Sequence, residues 1–106
     1  MYTGLEKLKA AFMFVAPEAD PSKHRAVVDT PVVELTVVGV KNYDEACKVA
    51  KELVEKGVKA IELCGGFGHL GVAKIVEAVA GKATVGVVRF DIHPGLEGKS
   101  GDEFFK

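Results

Sequence analysis

The sequence has few cysteines, little excess charge of either sign and no long apolar run. Its two cysteines, Cys47 and Cys64, fall in a helix-like and a strand-like segment, and no disulfide-rich pattern surrounds them. We therefore expect the protein to function in the reducing environment of the cytoplasm. The longest apolar run near the start, residues 10–16, is about a third of what a membrane-spanning helix needs, and no small-residue cleavage site follows it. We expect neither a membrane anchor nor export.

The charge balance argues against a polyanionic partner. Fourteen basic and 15 acidic residues give a net charge of -1, so we expect no binding to nucleic acid. A chain of 106 residues, 48% of them hydrophobic, suits one compact core and is too short for two ordinary domains. We predict a single α/β domain over residues 1–106. Its glycine-containing tail, residues 91–106, is expected to be irregular, either frayed or packed on a neighbouring subunit.

Apolar runs and helical spacing predict the elements of a small α/β fold. Continuous apolar runs predict four strands, at residues 10–15, 35–40, 58–63 and 84–90. Asn42 followed by Glu45 resembles a capping box and predicts a helix that ends at Gly57. A second apolar stripe predicts a helix over residues 68–80. Asp20 and Pro21 predict the start of a short helix over residues 22–29.

Strands that alternate with helices predict a mostly parallel, four-stranded sheet in the order βαβαβαβ. If the helix at residues 22–29 were absent, the first two strands could pair as neighbours without a crossover. That antiparallel variant would scatter the polar residues to both edges of the sheet. Two or three helices are too few to cover both faces of a sheet of apolar strands, so we expect one face to be incompletely covered by helices. We therefore predict a homo-oligomer.

In the stretch of residues 62–71, the end of the third predicted strand meets a glycine-rich turn, which opens the helix at 68–80. Helix N-termini present free amides and partial positive charge, and glycine lets a ligand approach the backbone closely. The pattern predicts an anion-binding site, and its proposed ligand-binding residues here are Gly65, Gly66, Phe67 and Gly68. The expected partner is a small anionic or phosphorylated molecule.

Gly66, Gly68 and Gly71 also satisfy the spacing G-x-G-x-x-G, and Asp91 follows twenty residues later, as in dinucleotide sites. Against that interpretation, the unit comes last in the chain and His69 is bulky where the backbone would meet a pyrophosphate. Nucleotide binding is thus the alternative function. A further alternative is a non-catalytic interaction module, in which the glycines only permit close packing.

Polar residues follow several predicted strands, at the sheet edge where ligands of parallel sheets bind. All three histidines lie there under this strand assignment, and the further ligand-binding candidates are His24, Arg89, Asp91 and His93. Cys64, at a strand end before a helix, is a candidate nucleophile or an inert packed thiol. His69 is a candidate general base or a helix cap.

Asp91 and His93 could bind a divalent metal together with His69 or Cys64, but their spacing matches no metal motif. We therefore assign no metal ligands. The sequence identifies no cofactor, and it leaves open whether the protein is an enzyme.

Several segments together resemble a family of small prokaryotic proteins catalogued as a domain of unknown function. The resemblance covers nearly the whole chain from residue 10 onward. It is carried by residues 16–17, 20–21, 23–25, 34–40, 62–69, 85–91 and 93–101. It implies a stand-alone α/β domain and no particular activity.

Overall fold

The computed structural model describes residues 7–106. It contains a five-stranded sheet, two α-helices and two short 3-10 helices. The strands are β1 (Leu8–Val15), β2 (Arg25–Asp29), β3 (Val33–Val40), β4 (Ala60–Leu63) and β5 (Thr84–Val87). The helices are α1 (Tyr43–Glu55) and α2 (His69–Val79), and the 3-10 helices are Pro94–Leu96 and Gly101–Glu103.

The strands are arranged in the order β2-β3-β1-β4-β5. Four of them, β1, β3, β4 and β5, run parallel, and β2 pairs antiparallel with β3 at one edge. In the longest pairing, Leu8 of β1 lies opposite Val33 of β3 and Val15 lies opposite Val40. The predicted α/β class and mostly parallel sheet are confirmed, and each of the four predicted strands is present. The predicted count of four strands is wrong, because β2 adds a fifth.

The helix predicted over residues 22–29 is absent. Asp20 does start a turn, but only a single one. The Asp20 carboxylate accepts from the Ser22 amide at 2.9 Å, and the Asp20 carbonyl accepts from the His24 amide at 2.7 Å. From Arg25 onward the chain is strand β2. Its valines favour an extended backbone, and pairing with β3 supplies the hydrogen bonds that a short helix would otherwise make. Because β2 is the connection, β1 and β3 are parallel neighbours without an intervening helix.

Both helices cover the same face of the sheet. Ala11 and Met13 of β1 are fully buried in the core beneath them, whereas Phe12 and Phe14 point to the opposite face and stay partly exposed. The predicted N-cap of α1 is confirmed, since Asn42 Oδ1 accepts from the amide of Glu45 at 2.9 Å. The Glu45 carboxylate accepts from the amide of Lys41 at 2.9 Å, one residue before the position of a full capping box. Within residues 7–106, no helix combines the length and apolarity needed to cross a membrane.

The C-terminal tail folds back over the start of both helices. Phe105 is buried next to Tyr43, with 6.4 Å between the ring centroids, and the Tyr43 amide donates to the carbonyl of Phe105 at 3.1 Å. The end of the tail therefore packs on its own domain. This places Asp102 of the second 3-10 helix directly over the glycine-rich turn.

Candidate functional site

The start of α2 binds a carboxylate that belongs to the protein itself. The N-cap residue, Gly68, has no side chain with which to cap the helix. Asp102 supplies the acceptors instead, taking hydrogen bonds from the amides of Leu70 at 3.0 Å and Gly71 at 3.3 Å. These are the two amides that an ordinary N-cap side chain would satisfy. The predicted anion cradle therefore already holds an internal anion.

Tyr43 connects Asp102 to the glycine-rich turn. Its buried hydroxyl donates to Asp102 Oδ1 at 2.8 Å and accepts from the Gly68 amide at 2.9 Å, and its ring stacks on Phe67 at 5.6 Å. Burial is the main cause that raises the pKa of the Tyr43 phenol. The phenol therefore stays protonated and remains a donor to the carboxylate at neutral pH.

Asp102 remains ionised in this setting. Burial alone would raise the pKa of its carboxyl, but the hydrogen bonds it accepts, led by that from the Leu70 amide, outweigh burial and lower the pKa below its ordinary value. His69 lowers it further by charge attraction. A negative charge at a helix N-terminus also interacts favourably with the helix dipole.

The glycines of the G-x-G-x-x-G spacing make room for side chains of this same domain. A Cβ at Gly68 would overlap the carboxylate of Asp102 and the hydroxyl of Ser100. At Gly71 it would lie 2.5 Å from Cζ of Tyr43. Close packing therefore accounts for these two glycines without a ligand.

Beside Asp102, a cleft of about 630 Å³ opens between the start of α2 and the segment that follows β5. Its apolar lining comes from both sides, namely Phe67, Val72, Val87, Val88 and Phe90. Val88 and Phe90 are 45% and 42% exposed, which is high for apolar side chains of this size. The volume falls within the range of small-molecule sites, which combine apolar walls with a few polar groups.

The polar groups of the cleft are His69, Arg89, Asp91, Ser100 and Asp102. Arg89 Nε donates to Asp91 Oδ1 at 2.8 Å, and both side chains are exposed. Among the described residues, the two terminal nitrogens of Arg89 donate no hydrogen bond. A guanidinium in this state presents two parallel donors, an arrangement that suits a carboxylate or phosphate.

The structure brings together five of the predicted site residues. They all line the cleft: Phe67, Gly68, His69, Arg89 and Asp91. Gly65 and Gly66 are buried and do not line it; a Cβ at Gly65 would overlap the ring of Phe90.

The remaining histidines do not line the cleft. His24 directly precedes the edge strand β2 in the chain, and its Nδ1 accepts from the Asp20 amide at 2.9 Å. Three strand spacings, about 14 Å, separate β2 from β4. His93 also has a local role: its Nδ1 accepts from the Gly95 amide at 3.0 Å and its ring packs on Phe90. The sequence correctly placed both at the end of strands, but the strand order separates His24 from His69.

Cys64 is half-buried beneath the glycine-rich turn. Its Sγ accepts from the Gly66 amide at 3.3 Å, and its side chain packs against the core cluster. It is not among the residues that line the cleft. Of the two candidates for chemistry, only His69 therefore faces the space in which a ligand would lie.

Sequence reasoning missed Tyr43 and Asp102, the residues that organise the site. Tyr43 was visible only as an apolar position of α1, and Asp102 lies in a tail that has no periodic pattern. A helix that begins at a glycine needs an acceptor from elsewhere, which was a usable signal. The signal does not say which of the 15 acidic residues supplies that acceptor.

Within residues 7–106, no three His, Cys, Asp or Glu side chains cluster closely enough to hold a metal ion. Comparison with known families identifies DUF6506, a family of unknown function, over residues 8–103. The chain therefore belongs to this family. Neither the curated proteins nor the solved structures contain a match to the chain.

Proposed function

We propose that this member of DUF6506 binds a small anionic metabolite with an apolar part, in the cleft between α2 and residues 87–91. The observation that carries the proposal is the cleft itself, about 630 Å³ with an apolar lining and Arg89 and His69 at its polar side. An apolar body would contact Phe67 and Val72. The anionic group would reach the guanidinium of Arg89.

The position of the anionic group follows from which donors are already engaged. The amides of Leu70 and Gly71 donate to Asp102, and the amide of Gly68 donates to Tyr43. An external anion at these amides would have to displace the Asp102 carboxylate. The terminal nitrogens of Arg89 need no such displacement, so they are the favoured contact.

Binding of a nucleotide through the G-x-G-x-x-G turn has less support. A pyrophosphate needs the amides at the start of the helix, and these already donate to protein acceptors. The interaction-module alternative gains support at the turn, where Gly68 and Gly71 accommodate Asp102 and Tyr43. It does not account for the exposed apolar lining of the neighbouring cleft.

Of the two candidates for chemistry, His69 and Cys64, only His69 lines the cleft and could take part in a reaction there. An imidazole there could accept a proton from a bound ligand. Nucleophilic attack by Cys64 has no support from the geometry, because its sulfur packs towards the core and the Gly66 amide.

A thermal-shift screen tests the proposal. The purified protein is compared with and without carboxylates, phosphorylated metabolites, nucleotides and divalent metals. A ligand present at a hundred times its Kd stabilises the native state by about 2.7 kcal/mol, which would raise the Tm of a domain of this size by roughly 10 °C. We expect a shift with carboxylates or phosphorylated metabolites that is largely lost in Arg89→Gln.

Lys82→Gln is the matched control, since it removes one exposed positive charge outside the cleft. It should leave the shift unchanged. A shift of equal size in Arg89→Gln, or no shift with any anion, would contradict the proposal. A shift with nucleotides that survives Arg89→Gln would instead favour the alternative site.

We further propose that the protein functions in the cytoplasm, as a homo-oligomer and without a nucleic-acid partner. The two cysteines, Cys47 and Cys64, are both free thiols, which suits a reducing compartment. The net charge of -1 supplies no field that would attract a polyanion.

A further inference from the structure

No helix among residues 7–106 packs on one face of the sheet. This face consists of the alternate strand residues that share a side with Phe12 and Phe14, and we call it the open face. The register places Leu35 and Val37 of β3 beside β1 on this side, and it places Val28 of β2 beside Leu35. The ring of Phe14 lies over Gly39, where a Cβ would be 2.8 Å from its Cε2.

The open face is apolar across its centre and polar only near one edge. Its central strands, β1 and β3, contribute only apolar side chains and Gly39 to it. Its one charged side chain is Glu62 of β4, whose Cγ lies 4.0 Å from the position of a Cβ on Gly86. Glu62 therefore extends over the edge strand β5, towards the rim. An apolar centre with a polar rim is the usual composition of a protein interface.

The charge of the open face argues against other occupants. None of its strand residues is lysine or arginine, so it offers no attraction to an anionic membrane surface or to nucleic acid. A flat, nearly neutral surface can pack against a copy of itself by two-fold symmetry without bringing like charges together at its centre.

The open face is large enough to form the centre of a dimer interface. The strands contain 29 residues, which at about 3.3 Å rise and 4.8 Å spacing cover a flat area of about 460 Å². Side-chain relief increases the accessible area of such a face towards the ~800 Å² per partner of a standard interface. The apolar part of this face spans β1, β2 and β3, and an exposed apolar patch of a few hundred Å² often marks an interaction site.

We infer that the open face is a homodimer interface, in which two sheets pack face to face with the helices on the outside. Sheets packed in this way lie about 10 Å apart with their side chains interdigitated. Phe12 and Phe14 of one copy would then pack over small residues of the other, such as Ala10 and Ala60. The inference does not depend on the ligand proposed for the cleft, which lies at the end of the strands.

The test is the mass of the protein in solution, measured by sedimentation equilibrium over a range of concentrations. We expect the native chain to have the mass of two copies at micromolar concentrations. Val37→Lys places a charge at the centre of the open face, where a monomer leaves it hydrated and a dimer buries it. The dissociation constant should rise at least about tenfold.

Two further variants make the result decisive. Val28→Lys lies on the open face but is 54% exposed on an edge strand, so it tests the interface with little risk to folding. Val76→Lys is the matched control, because Val76 is 51% exposed on α2, away from the open face. A native chain that remains monomeric at several hundred micromolar would overturn the inference. So would a folded Val28→Lys variant that dimerises as tightly as Val76→Lys.

Discussion

The two helices of this protein begin in different ways. The side-chain cap of α1 is local and comes from Asn42 and Glu45, although the carbonyl of Phe105 in the tail also accepts from the Tyr43 amide. The first turn of α2 is capped by Asp102, which lies 32 residues beyond Leu70 in the chain. A local cap forms together with its helix, whereas a remote cap forms only when the tail has folded back. The comparison teaches that the stability of the candidate site depends on the C-terminal tail.

The largest loss of stability is expected from a substitution that separates the C-terminal tail, which carries Asp102, from the glycine-rich turn. Gly101 approaches the Gly66 carbonyl so closely that a Cβ at Gly101 would overlap its oxygen, and this oxygen belongs to the backbone and not to a flexible side chain. We expect Gly101→Ala to lower the free energy of unfolding by about 3 kcal/mol. Chemical denaturation followed by circular dichroism measures this change.

Gly98→Ala is the control for Gly101→Ala. Gly98 also lies in the tail, and a Cβ there meets nothing within 4 Å, although its φ of +71° adds some backbone strain. If Gly98→Ala costs as much as Gly101→Ala, the close approach to Gly66 is not what holds the tail.

Removing the charge of the remote cap should have the next largest effect. Asp102→Asn keeps the size of the side chain but weakens its acceptance of the Leu70 and Gly71 amides. We expect a loss of about 1.5 kcal/mol at pH 7. Because the folded state lowers the pKa of Asp102, this stabilisation is complete above the unfolded pKa of about 3.9 and is lost as the pH falls through the lower native pKa.

The stability difference between the native chain and Asp102→Asn should therefore be constant near neutral pH and shrink in acid. Urea denaturation at pH 7 and pH 3 measures it. Glu103→Gln, a neighbouring and exposed change, is the control and should be nearly neutral at pH 7. A difference that grows in acid would show that the carboxylate does not act as the cap.

Removing the local cap of α1 should lower the stability of the protein least. Asn42→Ala removes the acceptor for the Glu45 amide, and we expect it to cost about 1 kcal/mol. Hydrogen exchange sharpens the comparison: Asn42→Ala should speed exchange in the first turn of α1, and Asp102→Asn should speed it in α2 and in the tail together. Equal effects of both variants on the tail would contradict the distinction between a local and a remote cap.

The elements that sequence analysis predicted correctly are those whose signals are local. The start of α1 follows from Asn42 and Glu45, and the buried strands follow from continuous apolar runs. The segment at residues 22–29 was wrong because Asp20 and Pro21 are equally good signals for one turn and for a whole helix. Residues 25–29 form a strand because they pair with the edge of β3, and the sequence of residues 20–29 does not show that this edge is available.

The candidate site was predicted in part for the same reason. His69 and Arg89 were found because each lies at the end of a predicted strand or the start of a predicted helix. The same position after a predicted strand groups His24 with these residues, but the strand order places His24 next to the edge strand β2, far from β4. Tyr43 and Asp102 were missed because their roles come from contact across 59 residues of chain.

The sequence by itself determined the helices, the apolar strands and the existence of a glycine-rich turn, because each depends on residues within a few positions of one another. Only the tertiary structure decided that β2 is a strand, that Asp102 caps α2, and that a cleft opens beside it. Those outcomes depend on contacts between residues that are far apart in the sequence. A local sequence pattern does not show which distant residue a side chain will contact.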